Sequence, residues 1–161
     1  MTQLHPGIAA LTPLLGTWTG HGTGEYPTIQ PFGYDDEVTF GHTGKPFLTY
    51  AQRTTATDDG RPLHAEIGFV RVPTPNRVEW VLAHPNGITE IQEGTLSIDG
   101  NVIEMELTAT TIGLTESAKE VTALSRSIRI DGDQLHYTLR MAAMGQWLQD
   151  HLTATLHRKQ T

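Results

Sequence analysis

The residues best suited to chemistry in this 161-residue chain are its eight histidines, set against a complete absence of cysteine. Neutral imidazole is the commonest metal ligand, and without thiols any metal site must rest on histidine and carboxylate donors. The lack of cysteine also excludes disulfides, a thiol nucleophile and covalent c-type haem attachment. No two histidines sit in a His-Glu-x-x-His pattern, which argues against a zinc hydrolase. His151 precedes an alternation in which Leu152, Ala154 and Leu156 share one face and Thr153 and Thr155 the other. It has the parity of the threonines, so a regular strand would turn it outward if the apolar face points in. His151 can reach an interior only from a loop or bulge just before the strand proper. His64 similarly shares parity with Glu66 and Gly68, opposite Leu63, Ala65, Ile67 and Phe69. That pattern leaves it either an outer-face polar residue or a donor at a site.

The elements that must position these side chains are short and extended. Gly16, Gly20, Gly22 and Gly24 share a face with Trp18 in an extended chain, since even spacings fall on one side. One bulky ring beside a glycine stripe suits a strand that bends sharply or admits another backbone, as in the tight turn of a closed barrel. The stripe lacks the Gly-Lys-Ser/Thr and strand–helix context of a phosphate loop. A short helix is predicted over residues 7–15, limited by Pro13. Strands follow at 17–25, 36–42, 47–55, 63–72, 77–84, 88–98, 102–110, 121–130, 135–143 and 151–158. Turn chemistry separates them, including Asp58-Asp59-Gly60, Pro85-Asn86-Gly87, Asp99-Gly100 and Asp131-Gly132. The reading is all-β: a roughly ten-stranded antiparallel up-and-down barrel forming one domain over 1–161, with a sandwich as the alternative. Leu135, Tyr137, Leu139 and Met141 form one apolar face of the ninth strand. A barrel of this width is too wide for side chains to fill, so it should enclose a ligand cavity.

The formal net charge is −7, from 18 acidic and 11 basic side chains, which disfavours nucleic-acid partners. No run approaches membrane-span length and the start lacks a signal-peptide pattern, so a cytoplasmic protein without a membrane partner is expected.

The motif Gly16-x-Trp18-x-Gly20-x-Gly22, followed by Gly24-Glu25-Tyr26-Pro27-Thr28-Ile29, resembles the nitrobindin family. So do Leu63-His64-Ala65-Glu66, Glu90-Ile91-Gln92-Glu93-Gly94-Thr95 and the closing His151-Leu152-x-Ala154-x-Leu156. The resemblance runs over essentially the whole chain and looks strongest to actinobacterial members. It implies a barrel related in shape to lipocalins and fatty-acid-binding proteins that carries haem b at its open end. It further implies nitric-oxide binding and, in the ferric state, isomerisation of peroxynitrite to nitrate. His151 matches the family's axial iron ligand; His64, Leu63, Gln92 and Met141 match positions lining the haem pocket. Position 63 is Leu where a plant relative has Met, and residues 144–150 lack the prolines that precede the histidine there.

With haem at the mouth, Thr28 and Lys119 are the candidates to meet its propionates. The second ring nitrogen of His151 needs a carbonyl or carboxylate to hold it, with Asp150 adjacent and a backbone carbonyl as the alternative. In the wider lipocalin-like group an early Gly-x-Trp packs beneath an arginine of the last strand, which here pairs Trp18 with Arg158. Two other functions fit a hollow barrel: a non-catalytic carrier of a fatty acid or similar apolar ligand, and a nitric-oxide sensor. Family habit allows a homodimer, though no exposed apolar stripe is assignable from sequence.

Overall fold

The computed structural model describes residues 2–160. Ten strands run in order as Gly16–Tyr26 (β1), Ile29–His42 (β2), Leu48–Ala56 (β3), Pro62–Thr74 (β4), Arg77–Ala83 (β5), Ile88–Asp99 (β6), Val102–Leu114 (β7), Val121–Asp131 (β8), Gln134–Ala143 (β9) and Gln149–Arg158 (β10). Each pairs antiparallel with its sequence neighbour, and β1 pairs with β10, closing the barrel. The hairpins at Gly100 and Gly132 both have φ 61°, a conformation that glycine adopts without steric cost. The predicted N-terminal helix is a 3-10 helix, Pro6–Leu14, with Pro13 inside it.

All ten predicted strands are present; β2 differs most, beginning at Ile29 rather than residue 36. The β2–β3 pairing starts only at Tyr34↔Ala56. Residues 29–32 therefore project past β3 and ladder with β1, an edge position where proline is tolerated, while the Gly33 carbonyl accepts from Thr57 N just after β3 at 3.1 Å.

The 3-10 helix plugs one end through Ile8, Leu11 and Leu14, all fully buried. Trp18 packs on this plug, its Nε1 donating to the Leu14 carbonyl at 2.9 Å. The Arg158 guanidinium lies 4.3 Å from the Trp18 ring centroid, the expected cation–π pair, and also donates to the Leu15 and Pro13 carbonyls. The glycine stripe serves the bend at this seam. A Cβ on Gly20 would fall 2.1 Å from the Thr155 carbonyl oxygen across the β1–β10 pairing, while the Tyr34 ring covers Gly22.

Strand β4 inverts the usual polarity. Glu66 and Val70 are buried inside, whereas Ile67 is 62% and Phe69 49% exposed outside. Of the two faces open to His64, the structure selects the interior.

Candidate functional site

Opposite the plug the barrel holds a cavity of about 940 Å³. Thr28, Leu63, His64, Lys119, Met141 and His151 all line it, drawn from strand ends and turns far apart in sequence. Gln92 does not. It is fully buried, and its Nε2 donates to Glu90 Oε1 at 2.9 Å, so Glu90 rather than Gln92 reaches the wall. The expectation that Gln92 lines the pocket is corrected: its amide is drawn to a buried carboxylate one pair of residues along β6.

His151 sits at a bulge. Asp150 pairs with Arg140 and Leu152 with Leu139, which leaves His151 as the extra residue and frees it from the parity of Thr153 and Thr155. Met144 (φ 52°) and Gly145 (φ 79°) make the turn that feeds it. Its Nδ1 lies 2.9 Å from the Glu25 carbonyl oxygen. A carbonyl only accepts, so Nδ1 carries the proton and Nε2 the lone pair. Burial lowers the His151 pKa, opposed by the hydrogen bond to Glu25, and a charge on His64 would lower it further. These forces favour neutral imidazole. The Tyr26 ring meets His151 edge-on at 5.4 Å and is itself fixed by its hydroxyl, which accepts from Ala143 N at 2.8 Å. Asp150 does not hold the ring; its carboxylate faces Arg140.

Beneath these residues lies a polar floor that sequence reasoning missed. Arg126 donates from Nε to Glu90 Oε1 at 3.0 Å and from Nη1 to Glu66 Oε2 at 2.8 Å. Burial opposes ionisation of both carboxyls, but the Arg126 charge, with help from the neighbouring histidines, outweighs it. Glu90 is brought down to about 2 and Glu66 well below the usual carboxylate range. A second group joins Asp36, Gln52, Tyr34 and Tyr137. The Tyr137 hydroxyl donates to Asp36 Oδ2 at 2.5 Å, and Gln52 Nε2 donates to Asp36 at 3.0 Å. With no cation beside it, Asp36 is pushed up by burial to about 6, despite these donors.

A signal for this floor existed. Asp36 has the parity of Val38 and Phe40, Gln52 that of Leu48 and Tyr50, Glu90 that of Ile88, and Arg126 that of Leu124 and Ile128. Polar residues in otherwise apolar inward positions mark an interior network. For Asp36 the consequence is measurable. A carboxyl with a raised folded pKa stabilises the protein fully below its unfolded value, and that contribution is lost as pH rises through about 6. Wild-type stability should therefore fall by about 2 kcal/mol from this group between pH 4 and pH 7. Asp36→Asn should flatten that limb in urea titrations across the same range.

Residues 7–158 match the family described as THAP4-like, heme-binding beta-barrel domain. The chain belongs to this family, the nitrobindins. It is 65% identical over 158 residues to peroxynitrite isomerase 1 of Mycolicibacterium paratuberculosis, with 98% of each chain covered. Identity to peroxynitrite isomerase 1 of Mycobacterium tuberculosis H37Rv is 61% over 160 residues, again with 98% of each covered. The crystal structure of Rv2717c from M. tuberculosis superposes with a TM-score of 0.95 at 60% identity, over 98% of this chain and all of that one. A phycobiliprotein lyase from Guillardia theta shares the fold alone, at 10% identity and a TM-score of 0.60 over about nine-tenths of each chain. As a nitrobindin the chain is a haem-binding barrel, and its interior fits that cofactor. The cavity is of ligand-binding size, and one neutral imidazole on its wall has a held Nδ1–H and an available Nε2 lone pair. Among the described residues no helix is long and apolar enough to cross a membrane.

Proposed function

We propose that this nitrobindin holds haem b through His151 and, in the ferric state, isomerises peroxynitrite to nitrate. The observation that carries the reading is the His151 bulge, which turns an imidazole with Nδ1–H tied to Glu25 toward a cavity of about 940 Å³. Bound there, haem would supply a ferric Lewis acid for the substrate anion. The chain's own residues do the rest. His151 Nε2 would donate to the iron, and the Glu25 carbonyl fixes the tautomer and orientation of that ring. Thr28 and Lys119, both on the cavity wall, are the proposed propionate partners. Leu63 and Met141 line the cavity and would offer the bound haem apolar contact. The His64 side chain, 32% exposed, is placed to make a polar contact with a bound anion. Converting peroxynitrite to nitrate rearranges atoms within one anion, with no net proton or electron, so the residues need only bind, orient and exclude water. The same iron position would take nitric oxide.

The fatty-acid carrier reading loses support from the polar floor. The buried guanidinium that would hold a lipid carboxylate is already shared by Glu66 and Glu90. Ferric protein mixed with peroxynitrite should yield nitrate well above the buffer rate; an unchanged rate would refute the catalytic reading.

We also propose that two copies associate through the outer face of β4–β6. Phe69 pairs with Val81 and Val81 with Ile91 in register, aligning three exposed apolar side chains across adjacent strands next to Ile67. Sedimentation should report a dimer for the wild type and a monomer for Phe69→Glu, with the haem spectrum unaltered.

A further inference from the structure

We infer that His64, Glu66 and His84 form a second metal site in the barrel floor, for a divalent ion of the zinc class, distinct from the haem ligand His151. Among the described residues these three offer ligand atoms within 4.8 Å of one another. His64 Nε2 lies 3.1 Å from His84 Nδ1 and 3.2 Å from Glu66 Oε1, and His84 Nδ1 lies 3.7 Å from the same oxygen. A tetrahedral ion with bonds of about 2.0 Å has ligand–ligand edges of about 3.3 Å. The three atoms thus already form one face of such a tetrahedron. Two imidazole nitrogens and one carboxylate oxygen are a donor set suited to zinc and neighbouring first-row ions.

The supporting shell is also in place. His84 Nε2 meets Glu90 Oε2 at 2.6 Å, the carboxylate–histidine arrangement that orients a metal-bound ring and raises its basicity. Since a carboxylate accepts, Nε2 carries the proton and Nδ1 presents its lone pair to the other two ligands. Glu66 is oriented in the same way. Its Oε2 takes Arg126 Nη1 at 2.8 Å and the Tyr50 hydroxyl at 3.0 Å, which leaves Oε1 for the imidazoles. Only His64 needs to change. Without an ion, its Nε2–H sits between Glu66 Oε1 and His84 Nδ1; moving that proton to Nδ1 opens the third donor. His64 lines the large cavity, giving a route for the ion and room for water or substrate in a fourth position.

Charge points the same way. Glu66, Glu90 and Asp36 are 5%, 1% and 3% exposed, and the buried cation among them is Arg126. Buried carboxylates are otherwise matched by cations, and a divalent ion would supply the missing positive charge.

The test uses haem-free protein titrated with Zn²⁺ by calorimetry and with Co²⁺ by visible absorption. One equivalent should bind, with the d–d bands of a low-coordinate Co²⁺ site. His64→Ala and His84→Ala should weaken binding more than about 100-fold, and Glu90→Gln by about 10–100-fold. His151→Ala should bind the ion as the wild type does, which separates this site from haem ligation whatever the fate of the haem reading. Far-UV circular dichroism checks folding, and the partly exposed His64 keeps the test decisive if His84→Ala does not fold. Absence of a stoichiometric event, equal binding by folded His64→Ala, or loss in His151→Ala would each overturn the site.

Discussion

His151→Ala should fold into the same barrel yet lose its normal Soret band and release haem more than about 100-fold more readily, since even outer partners of a metal ligand are worth about 10–100-fold. The side chain makes one hydrogen bond to the chain, to Glu25, and an edge contact with Tyr26. It lies at a bulge near the mouth, outside both apolar clusters of the core. Removing it should cost no more than about 1 kcal/mol of stability, on the scale of a single hydrogen bond. The effect on the cofactor is of another order, because His151 Nε2 is the proposed donor to the iron and its ring is held by Glu25. Absorption spectra of the reconstituted protein and transfer of haem to an apo-globin measure the two quantities. Wild-type spectra in the variant would move the ligand elsewhere, with His64 the next residue to replace.

Arg126→Met should destabilise the barrel by about 3–5 kcal/mol at pH 7, because it leaves two buried carboxylates without their cation. It should also reverse the pH dependence that Glu66 and Glu90 contribute. In the wild type, the depressed pKa values of Glu66 and Glu90 stabilise the fold above the unfolded value of about 4.3. That stabilisation is lost as pH falls toward about 2, the folded value for Glu90. Without the guanidinium, burial raises both carboxyls, and the folded state then binds more protons than the unfolded chain. Both proteins gain from Asp36 as pH is lowered from 7 to 5, and the variant should gain more, by the contribution of these two carboxyls. Urea midpoints of both proteins at the two pH values measure that difference, and a variant with a wild-type slope would show that Arg126 does not govern these carboxyls.

The two histidines illustrate how far sequence reading reaches. Parity excluded His151 from the interior unless the strand broke, and the Asp150–Leu152 bulge is that break. The alternation of β9 likewise predicted its inward face, and Leu135 and Leu139 are buried as expected. In β4 the same rule was undecided. Its apolar set, Ile67 and Phe69, faces outward, while Glu66 is buried beside Arg126 from a strand 60 residues later. A carboxylate can sit inside only when a partner meets it, and no local pattern reveals that partner.

The sequence by itself determined the ten strands, the turns between them, the plug of Trp18 and Arg158, and His151 as the ligand candidate. The strands and turns follow from period-two alternation and turn glycines, which act over a few residues; the Trp18–Arg158 plug and His151 rest on the resemblance that short motifs carry to the nitrobindin family and the wider lipocalin-like group. Tertiary structure alone decided which face of β4 is interior, that Gln92 stops short of the cavity, and that Asp36, Glu66, His84, Glu90 and Arg126 converge beneath it. Closure brings those side chains together from four strands and the turn after β5, and the energy of a buried charge is fixed by what stands opposite it across the barrel.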